Sequence, residues 1–256
     1  TMAETIVRVE CLKHVYPDNT TVDLCGLDFT VERGQRVAIL GANGSGKSTL
    51  LHHLLGLLAP VEGRVEVFGE EPSRGWKKIR RRLGVVLQEA EEQIIGPTVW
   101  DDVTFSVRQA GWPAEQVRRR AEEVIGRLNL GHVTRRVPQY LSGGEKRRVA
   151  VAGAIIHQPE LLILDEPFTG LDPASRLALL SLLRELNADG MAYVVATHEV
   201  ALVPEIADYV YVLQQGRGIA QRGRPGELAL ERLAREIGLQ SDRSGDTMNE
   251  ASSFTS

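Results

Sequence analysis

The stretch GANGSGKST, residues 41 to 49, places three glycines, a lysine and three hydroxyl side chains between the apolar run RVAIL and a helix-like segment. Gly41 to Ser48 fits the pattern Gly-x-x-x-x-Gly-Lys-[Ser/Thr], in which backbone N–H groups turn inward around an anion at the start of a helix. Lys47 would bring a full charge to the β- and γ-phosphates of a nucleotide, and the Ser48 hydroxyl would ligate Mg²⁺. A plain glycine-rich turn would need neither side chain.

A pair of carboxylates ends another apolar run, in LLILDEP. Ligands of open parallel sheets bind at the carboxyl ends of the strands, where Asp165 and Glu166 would lie. Asp165 could hold the Mg²⁺ shell, and Glu166 could polarise a water molecule for attack on the γ-phosphate. The simpler alternative is a solvated acidic pair at a strand end, and the phosphate-loop pattern argues against it.

The elements that must hold these residues alternate between strands and helices. The runs RVAIL, LGVVL, LLILD and YVVAT are almost continuously apolar, which is typical of parallel strands buried on both faces. Before them, TIVRVECLKHVY and TTVDLCGLDFTVERG alternate partly around the turn PDNT and predict a small antiparallel sheet. An arginine-rich stretch with helical periodicity separates LGVVL from LLILD. The predicted fold is α/β, with a helical insertion in a mainly parallel core.

Composition and charge exclude several classes of function. The net charge of −4 argues against general nucleic-acid binding, which needs a basic face. Cys11 and Cys25 lack the spacing of a zinc or redox motif, so we expect core or strand thiols in a reducing compartment. No apolar run approaches 18 residues and the N-terminus does not resemble a signal peptide, so we expect a cytoplasmic chain. The polar segment 241–256 is expected to be a disordered tail.

Seven motifs in order resemble those of the ATPase subunits of ABC transporters, over roughly residues 5 to 235. They are Tyr16 in KHVYPDN, the phosphate loop, Gln88 in VVLQ, the signature LSGGEKRR from Leu141, LLILDEP, GLDP with Asp172, and His198 in ATHE. The resemblance implies a P-loop NTPase core, with an ABC ATPase domain at 4–240 and a helical subdomain at about 98–158. It also implies ATP and Mg²⁺ as the ligands.

The resemblance assigns roles that the residues alone would not carry. Tyr16 would stack on adenine, although an isolated tyrosine there would more simply pack on the sheet. Gln88 would touch Mg²⁺ or the attacking water, and His198 would contact the γ-phosphate and orient that water. The expected catalytic residues are Glu166, His198 and Gln88, and the expected Mg²⁺ ligands are Ser48, Gln88 and Asp165. The expected ATP-binding residues are Tyr16, Gly41, Ala42, Asn43, Gly44, Ser45, Gly46, Lys47, Ser48 and Thr49.

The signature carries a consequence for assembly. In the family it completes the site of the opposite subunit, so Leu141, Ser142, Gly143, Gly144 and Glu145 are expected to act in trans across a head-to-tail dimer. Ser142 with Glu145 three residues later also reads as a helix capping box, and the two readings are compatible. Asp172 would help to form the dimer interface.

The segment LQEAEEQIIGPTVWDDVTFS is similar to the corresponding segment of energy-coupling factor and cobalt or nickel importer ATPases, with Gln93 as the second glutamine of the pattern. It departs from them in EAEEQ, where asparagine and proline are common. The resemblance implies a peripheral ATPase at the cytoplasmic face of the membrane, paired with itself or a related ATPase. Its partners would be a transmembrane coupling protein and a small membrane substrate-binding protein. An importer with a separate binding protein and a non-transport ATP switch remain alternatives, and the sequence does not name the cargo.

Overall fold

A computed structural model describes residues 4–25 and 28–236, so the predicted tail at 241–256 lies outside the described residues. The strands of the described part are β1 (Thr5–Val15), β2 (Thr21–Leu24), β3 (Phe29–Glu32), β4 (Arg36–Leu40), β5 (Glu62–Val67), β6 (Leu83–Val86), β7 (Leu161–Asp165), β8 (Ala192–Thr197), β9 (Tyr209–Gln214) and β10 (Gly218–Gly223). Its helices are α1 (Lys47–Leu54), α2 (Pro72–Ile79), α3 (Val99–Gln109), α4 (Ala114–Arg127), α5 (Gly143–Ile155), α6 (Pro173–Ala188), α7 (Val203–Ile206) and α8 (Leu230–Glu236).

The larger sheet has the strand order β10-β9-β4-β8-β7-β6. All neighbours from β9 to β6 run parallel, and only β10 is antiparallel to its neighbour. The strands β4, β7 and β8 are buried almost throughout, because one face of the sheet is covered by β1, β3, β5 and α1 and the other face by helices. Their carboxyl ends therefore meet at one edge, which brings the residues after RVAIL, LLILD and YVVAT together.

A second sheet is antiparallel, with β1 pairing to β2, β3 and β5. One hydrophobic core cluster lies between this antiparallel sheet, α1 and one face of the larger sheet. The other cluster joins the opposite face of the larger sheet to α3, α4 and α5, which lie between β6 and β7 in the chain. The predicted α/β class, mainly parallel core, N-terminal antiparallel sheet and helical insertion are confirmed. The helices α3 to α5 fall inside the segment 98–158, whose status as a subdomain stays a prediction.

The expectation of two free thiols was wrong, because Cys11 and Cys25 form a disulfide. Their neighbours Leu12 and Leu24 are paired across β1 and β2, so the hairpin brings the cysteines together across 14 residues of sequence. Cys11 lies in β1 and is exposed, and Cys25 follows β2. Neither cysteine is a buried core residue.

An ion-pair network closes the amino end of β7. Glu160, the residue before the strand, accepts from Arg82 at 3.0 Å and also pairs with Arg33. Hydrogen bonds from these two arginines lower the pKa of Glu160 to about 2. Arg82 also lies over the Phe68 ring, 3.8 Å from its centroid. This end of the strand is therefore held by satisfied charges.

The helices of residues 4–25 and 28–236 are all too short or too polar to cross a membrane.

Candidate functional site

The phosphate loop connects β4 to α1 in a conformation that its glycines permit. Gly44 and Gly46 have φ values of +79° and +99°, which side chains with a Cβ rarely adopt. A Cβ on Gly41 would lie 2.3 Å from the Ser45 Oγ and 2.8 Å from the Leu213 carbonyl oxygen, so this position needs glycine for space. The helix α1 begins at Lys47, which directs its first free N–H groups towards the loop.

The Lys47 side chain is buried, with 6% of its surface exposed. Its Nζ donates to the carbonyl oxygens of Gly41 at 2.7 Å and Ala42 at 3.3 Å, which anchors the ammonium group across the loop. The same Nζ lies 3.3 Å from the Glu166 Oε1, an ion pair without hydrogen-bond geometry. The Lys47 ammonium group therefore links the phosphate loop to the carboxylate pair. The loop and the pair were predicted from separate segments of the sequence.

Asp165 ends β7 facing the first turn of α1. The Ser48 hydroxyl donates to the Asp165 Oδ2 at 3.1 Å, while the buried Asp165 Oδ1 has no hydrogen-bond partner among residues 4–25 and 28–236. Burial raises the pKa of Asp165, the Ser48 hydrogen bond opposes that shift, and the charge of Glu166 adds to it. A buried carboxylate with a free oxygen beside a hydroxyl is a donor set that suits Mg²⁺, which prefers oxygen ligands.

Glu166 occupies an unusual backbone conformation, with φ at +45°. Its N–H donates to the Ala196 carbonyl at 2.9 Å, which fixes the residue against the end of β8. The His198 Nδ1 lies 2.9 Å from its Oε2, and the carboxylate is buried while the imidazole is 41% exposed. The positive φ marks strain at the turn after β7, and such strain is common at functional sites.

These groups open into one cavity of about 420 Å³. Tyr16 is among the residues that line it, and the Tyr16 hydroxyl is 2.8 Å from the Thr49 Oγ1. The residues that line the cavity are Tyr16, Thr20, Val22, Ala42, Asn43, Gly44, Gly46, Lys47, Ser48, Thr49, Gln88, Asp165 and Glu166. The structure thus brings together Tyr16, the loop, Gln88 and both carboxylates, and joins His198 to them through Glu166.

The signature residues lie outside the lining of this cavity. Ser142 caps α5: its Oγ accepts from the Glu145 N–H at 3.3 Å, and its own N–H donates to the Glu145 Oε2 at 2.8 Å. Ser142 and Gly143 are exposed at the helix N-terminus. Asp172 is also exposed and caps α6 by accepting from the N–H groups of Ala174 and Ser175, both at 3.0 Å.

Two contacts of the segment around Gln88 were not predicted. The Gln93 Oε1 accepts from the Leu87 N–H at 2.8 Å, and the Arg147 Nη1 donates to the Leu87 carbonyl at 2.9 Å. The peptide next to Gln88 is therefore held from two sides. Gln93 belonged to the predicted importer pattern and Arg147 to the signature LSGGEKRR, but neither residue had been given a role. Thr20 and Val22 were also missed in the cavity lining, although they follow Tyr16 closely.

Comparisons with known proteins place this site in a family. The profile of the family described as ABC transporter matches residues 24–169. The energy-coupling factor transporter ATP-binding protein EcfA of Methanocaldococcus jannaschii is 42% identical over 227 residues, which are 87% of this chain and 80% of that protein. EcfA of Methanothermobacter thermautotrophicus is 38% identical over 248 residues, 95% of this chain and 79% of that protein.

A solved structure gives the same result at the level of the fold. The cbiO1 protein from Clostridium perfringens, described as part of the ABC transporter complex cbiONQ, superposes with a TM-score of 0.80. It is 35% identical in sequence, and the match covers 92% of this chain and 95% of that one. The family match at 24–169 contains both the phosphate loop and the carboxylates after β7. The chain therefore belongs to the ABC transporter family, as an ATP-binding ATPase.

Proposed function

We propose that this chain is the ATP-hydrolysing subunit of a membrane importer of the energy-coupling factor type. The observation that carries the catalytic part is one cavity that combines Lys47 and Ser48 of the phosphate loop with Asp165 and Glu166 at the end of β7. The transport part is supported by the similarity to the two EcfA proteins and to cbiO1. Vitamins, cobalt and nickel are the candidate cargoes.

Nucleotide binding is assigned to one face of the cavity. Tyr16 supplies an aromatic ring for the adenine, and residues 41–49 surround the phosphates with backbone N–H groups. Lys47 contributes the full positive charge. Because Lys47 already pairs with Glu166 at 3.3 Å, a bound phosphate and this carboxylate compete for the same ammonium group.

A magnesium ion fits the other face of the cavity. The Ser48 hydroxyl, the unpartnered Asp165 Oδ1 and the Gln88 side chain offer oxygen atoms there. When bound, Mg²⁺ would neutralise charge on the phosphate oxygens. Asp165 must be ionised to bind the metal ion. Burial makes this ionisation less favourable than for an exposed aspartate.

Glu166 is assigned the role of general base. It accepts a proton from the attacking water, and the products are ADP and phosphate. The His198 Nδ1 contacts the Glu166 Oε2, and this contact restricts rotation of the carboxylate. The exposed part of the imidazole is available to contact the γ-phosphate.

The signature segment is assigned to the site of a second ATPase subunit. Its residues, Leu141 to Glu145, lie outside the lining of this chain's own nucleotide cavity. The exposed N-terminus of α5 suits a phosphate, because the capping box satisfies the N–H groups of Ser142 and Glu145 and leaves those of Gly143 and Gly144 available. Asp172 would form part of the same interface. The second subunit is a copy of this chain or a close homologue.

The membrane partner is assigned to a groove beside the segment that follows Gln88. The groove has a volume of about 210 Å³ and is lined by Glu91, Glu92, Ile94, Pro138, Gln139 and Lys146. Ile95 and Tyr140 are 68% and 83% exposed. Large exposed apolar side chains beside a charged groove favour a protein contact. Such a contact would hold the chain at the cytoplasmic face of the membrane.

The transport assignment is tested by pulling down the tagged full chain from detergent-solubilised membranes of its host and identifying the bound proteins by mass spectrometry. We expect a transmembrane coupling protein with a small membrane substrate-binder. Recovery of a transporter with a separate soluble binding protein would replace the energy-coupling factor assignment. Recovery of no membrane protein would favour an ATP switch outside transport.

The dimer is tested separately by sedimentation of Glu166→Gln. Slowed hydrolysis should trap the closed state, so MgATP should shift the variant from monomer to dimer. Ser142→Arg in the same background should bind ATP equally well and remain monomeric. Dimerisation of the double variant would contradict the assignment of the signature to the shared site.

A further inference from the structure

A second cavity lies between the signature helix and the helix that follows Asp172, and it shares no lining residue with this chain's own nucleotide cavity. It has a volume of about 270 Å³, and we call it the α5–α6 cleft. Its lining residues are Arg127, Leu128, Asn129, Gly144, Arg147, Arg148, Val151, Leu171, Ala174, Ser175, Ala178, Leu179 and Leu182. No acidic side chain is among them, while three guanidinium groups are.

Two of these guanidinium groups lack a compensating charge. Neither Arg147 nor Arg148 forms an ion pair within the described residues, whereas Arg127 is paired with Glu185 at 3.5 Å and with Asp189 at 3.2 Å. Arg147 is 9% exposed, and among the described residues its polar contact is the Leu87 carbonyl. Burial lowers the pKa of Arg147, and the Glu89 carboxylate opposes this only from beyond ion-pair distance. A buried cation without an ion-pair partner is unfavourable, so this end of the cleft favours an anion.

Arg148 adds an unused donor. Its Nη1 reaches the Ser175 Oγ at 3.5 Å, which spans the cleft from α5 to α6, but its buried Nε has no hydrogen-bond partner in the described part of the chain. Buried polar atoms are nearly always hydrogen-bonded, so an orphaned guanidinium nitrogen beside a cavity indicates an incomplete site. Guanidinium groups bind carboxylates and phosphates through several parallel hydrogen bonds.

The opposite wall determines the rest of the ligand. It is made of uncharged apolar side chains, namely Val151 of α5, Ala174, Ala178, Leu179 and Leu182 of α6, Leu171 before α6 and Leu128 after α4. A fully hydrated inorganic ion would leave this wall unused. The ligand that matches both walls has an oxyanion at one end and a short apolar body at the other.

We propose that the α5–α6 cleft binds a small organic anion, with a carboxylate or phosphate head on Arg147 and Arg148 and an apolar body against α6. Occupancy would tie the signature helix to the helix after Asp172. It would also act on the guanidinium that holds the peptide next to Gln88. This inference does not depend on the transport assignment, because it concerns binding to the chain itself.

The test uses hexanoate as a probe, followed by two-dimensional NMR of the full chain. We expect saturable shifts of the amide signals that line the cleft, and no such shifts with hexylammonium, which has the same tail and the opposite charge. Arg148→Gln should weaken hexanoate binding about tenfold, which is the effect of losing a charge-assisted hydrogen bond. Arg119→Gln, an exposed change on α4, should leave binding unchanged.

Two further variants keep the test decisive. Ala178→Phe fills the cleft from the exposed side without removing a charge, so it should abolish binding even if an arginine variant fails to fold. Lys47→Ala should leave hexanoate binding intact, because the phosphate loop is a separate anion site. The proposal is overturned if hexanoate does not saturate, if Ala178→Phe binds it normally, or if Lys47→Ala abolishes binding.

Discussion

The two ends of strand β7 carry carboxylates in opposite electrostatic situations. At the amino end, Glu160 is surrounded by Arg82 and Arg33, and its pKa falls to about 2. At the carboxyl end, burial raises the pKa of Asp165 beside Glu166, and one Asp165 oxygen has no hydrogen-bond partner among the described residues. The first end is arranged to stabilise the fold. The second end leaves a buried carboxylate oxygen available for a ligand, which lowers the stability of the fold. This arrangement is typical of functional sites.

The comparison predicts that changes at the carboxyl end act on turnover. Glu166→Gln keeps the size of the side chain and removes the base, so we expect the hydrolysis rate to fall by a factor of about 10² to 10⁴. Nucleotide affinity should remain near that of the original chain. Steady-state rates and equilibrium ATP binding measure the two effects, with the exposed Glu122→Gln on α4 as the matched control. Unchanged turnover would remove Glu166 from the mechanism.

A smaller effect, on ATP affinity, is expected for Lys47, which links the phosphate loop to the carboxyl end of β7. Lys47→Ala removes the charge nearest to the phosphates, so we expect ATP affinity to fall on the order of 100-fold. Fluorescence titration with an ATP analogue measures the change. Lys77→Ala, an exposed lysine on α2, should bind normally. Wild-type affinity in the Lys47 variant would contradict the phosphate-loop assignment.

Substitutions at the amino end of β7 should change the stability of the fold and leave the hydrolysis rate unchanged. Glu160→Gln weakens the pairs with Arg82 and Arg33, and because the carboxylate is partly exposed we expect a loss of only about 1 kcal/mol in the free energy of unfolding. A lowered folded-state pKa means that this contribution is present above the ordinary value of 4.5 and is lost as the pH falls towards about 2. Urea unfolding between pH 7 and pH 3 should therefore show the variant and the original chain converging in acid. A constant difference at all pH values would show that the ion pairs are not its cause.

Sequence patterns predicted the carboxyl end of β7 well because its signals are local. The phosphate loop lies within nine residues, and Asp165 and Glu166 follow directly after a buried strand. Parallel pairing of β4, β7 and β8 then brings these segments to one edge without further information. The mainly parallel core was predictable for the same reason, since fully apolar short runs indicate strands covered on both faces.

The features that sequence reasoning missed depend on distant pairings. Glu160 is separated from Arg82 by 78 residues and from Arg33 by 127, so no local pattern joins them. The disulfide between Cys11 and Cys25 follows from the register of a hairpin, which spacing alone does not give. The α5–α6 cleft likewise arises only when α5 packs beside α6.

The most direct test compares the two ends of β7 in one experiment, by measuring the ATPase rate and the unfolding free energy of Asp165→Asn and Glu160→Gln. A carboxylate with a raised folded-state pKa destabilises the fold increasingly as the pH rises above the ordinary value of 3.8. We therefore expect Asp165→Asn at pH 7 to lose hydrolysis while its stability is unchanged or higher by up to about 1 kcal/mol. Glu160→Gln should lose stability and keep its rate. Normal turnover in Asp165→Asn, or loss of turnover without loss of stability in Glu160→Gln, would contradict the account.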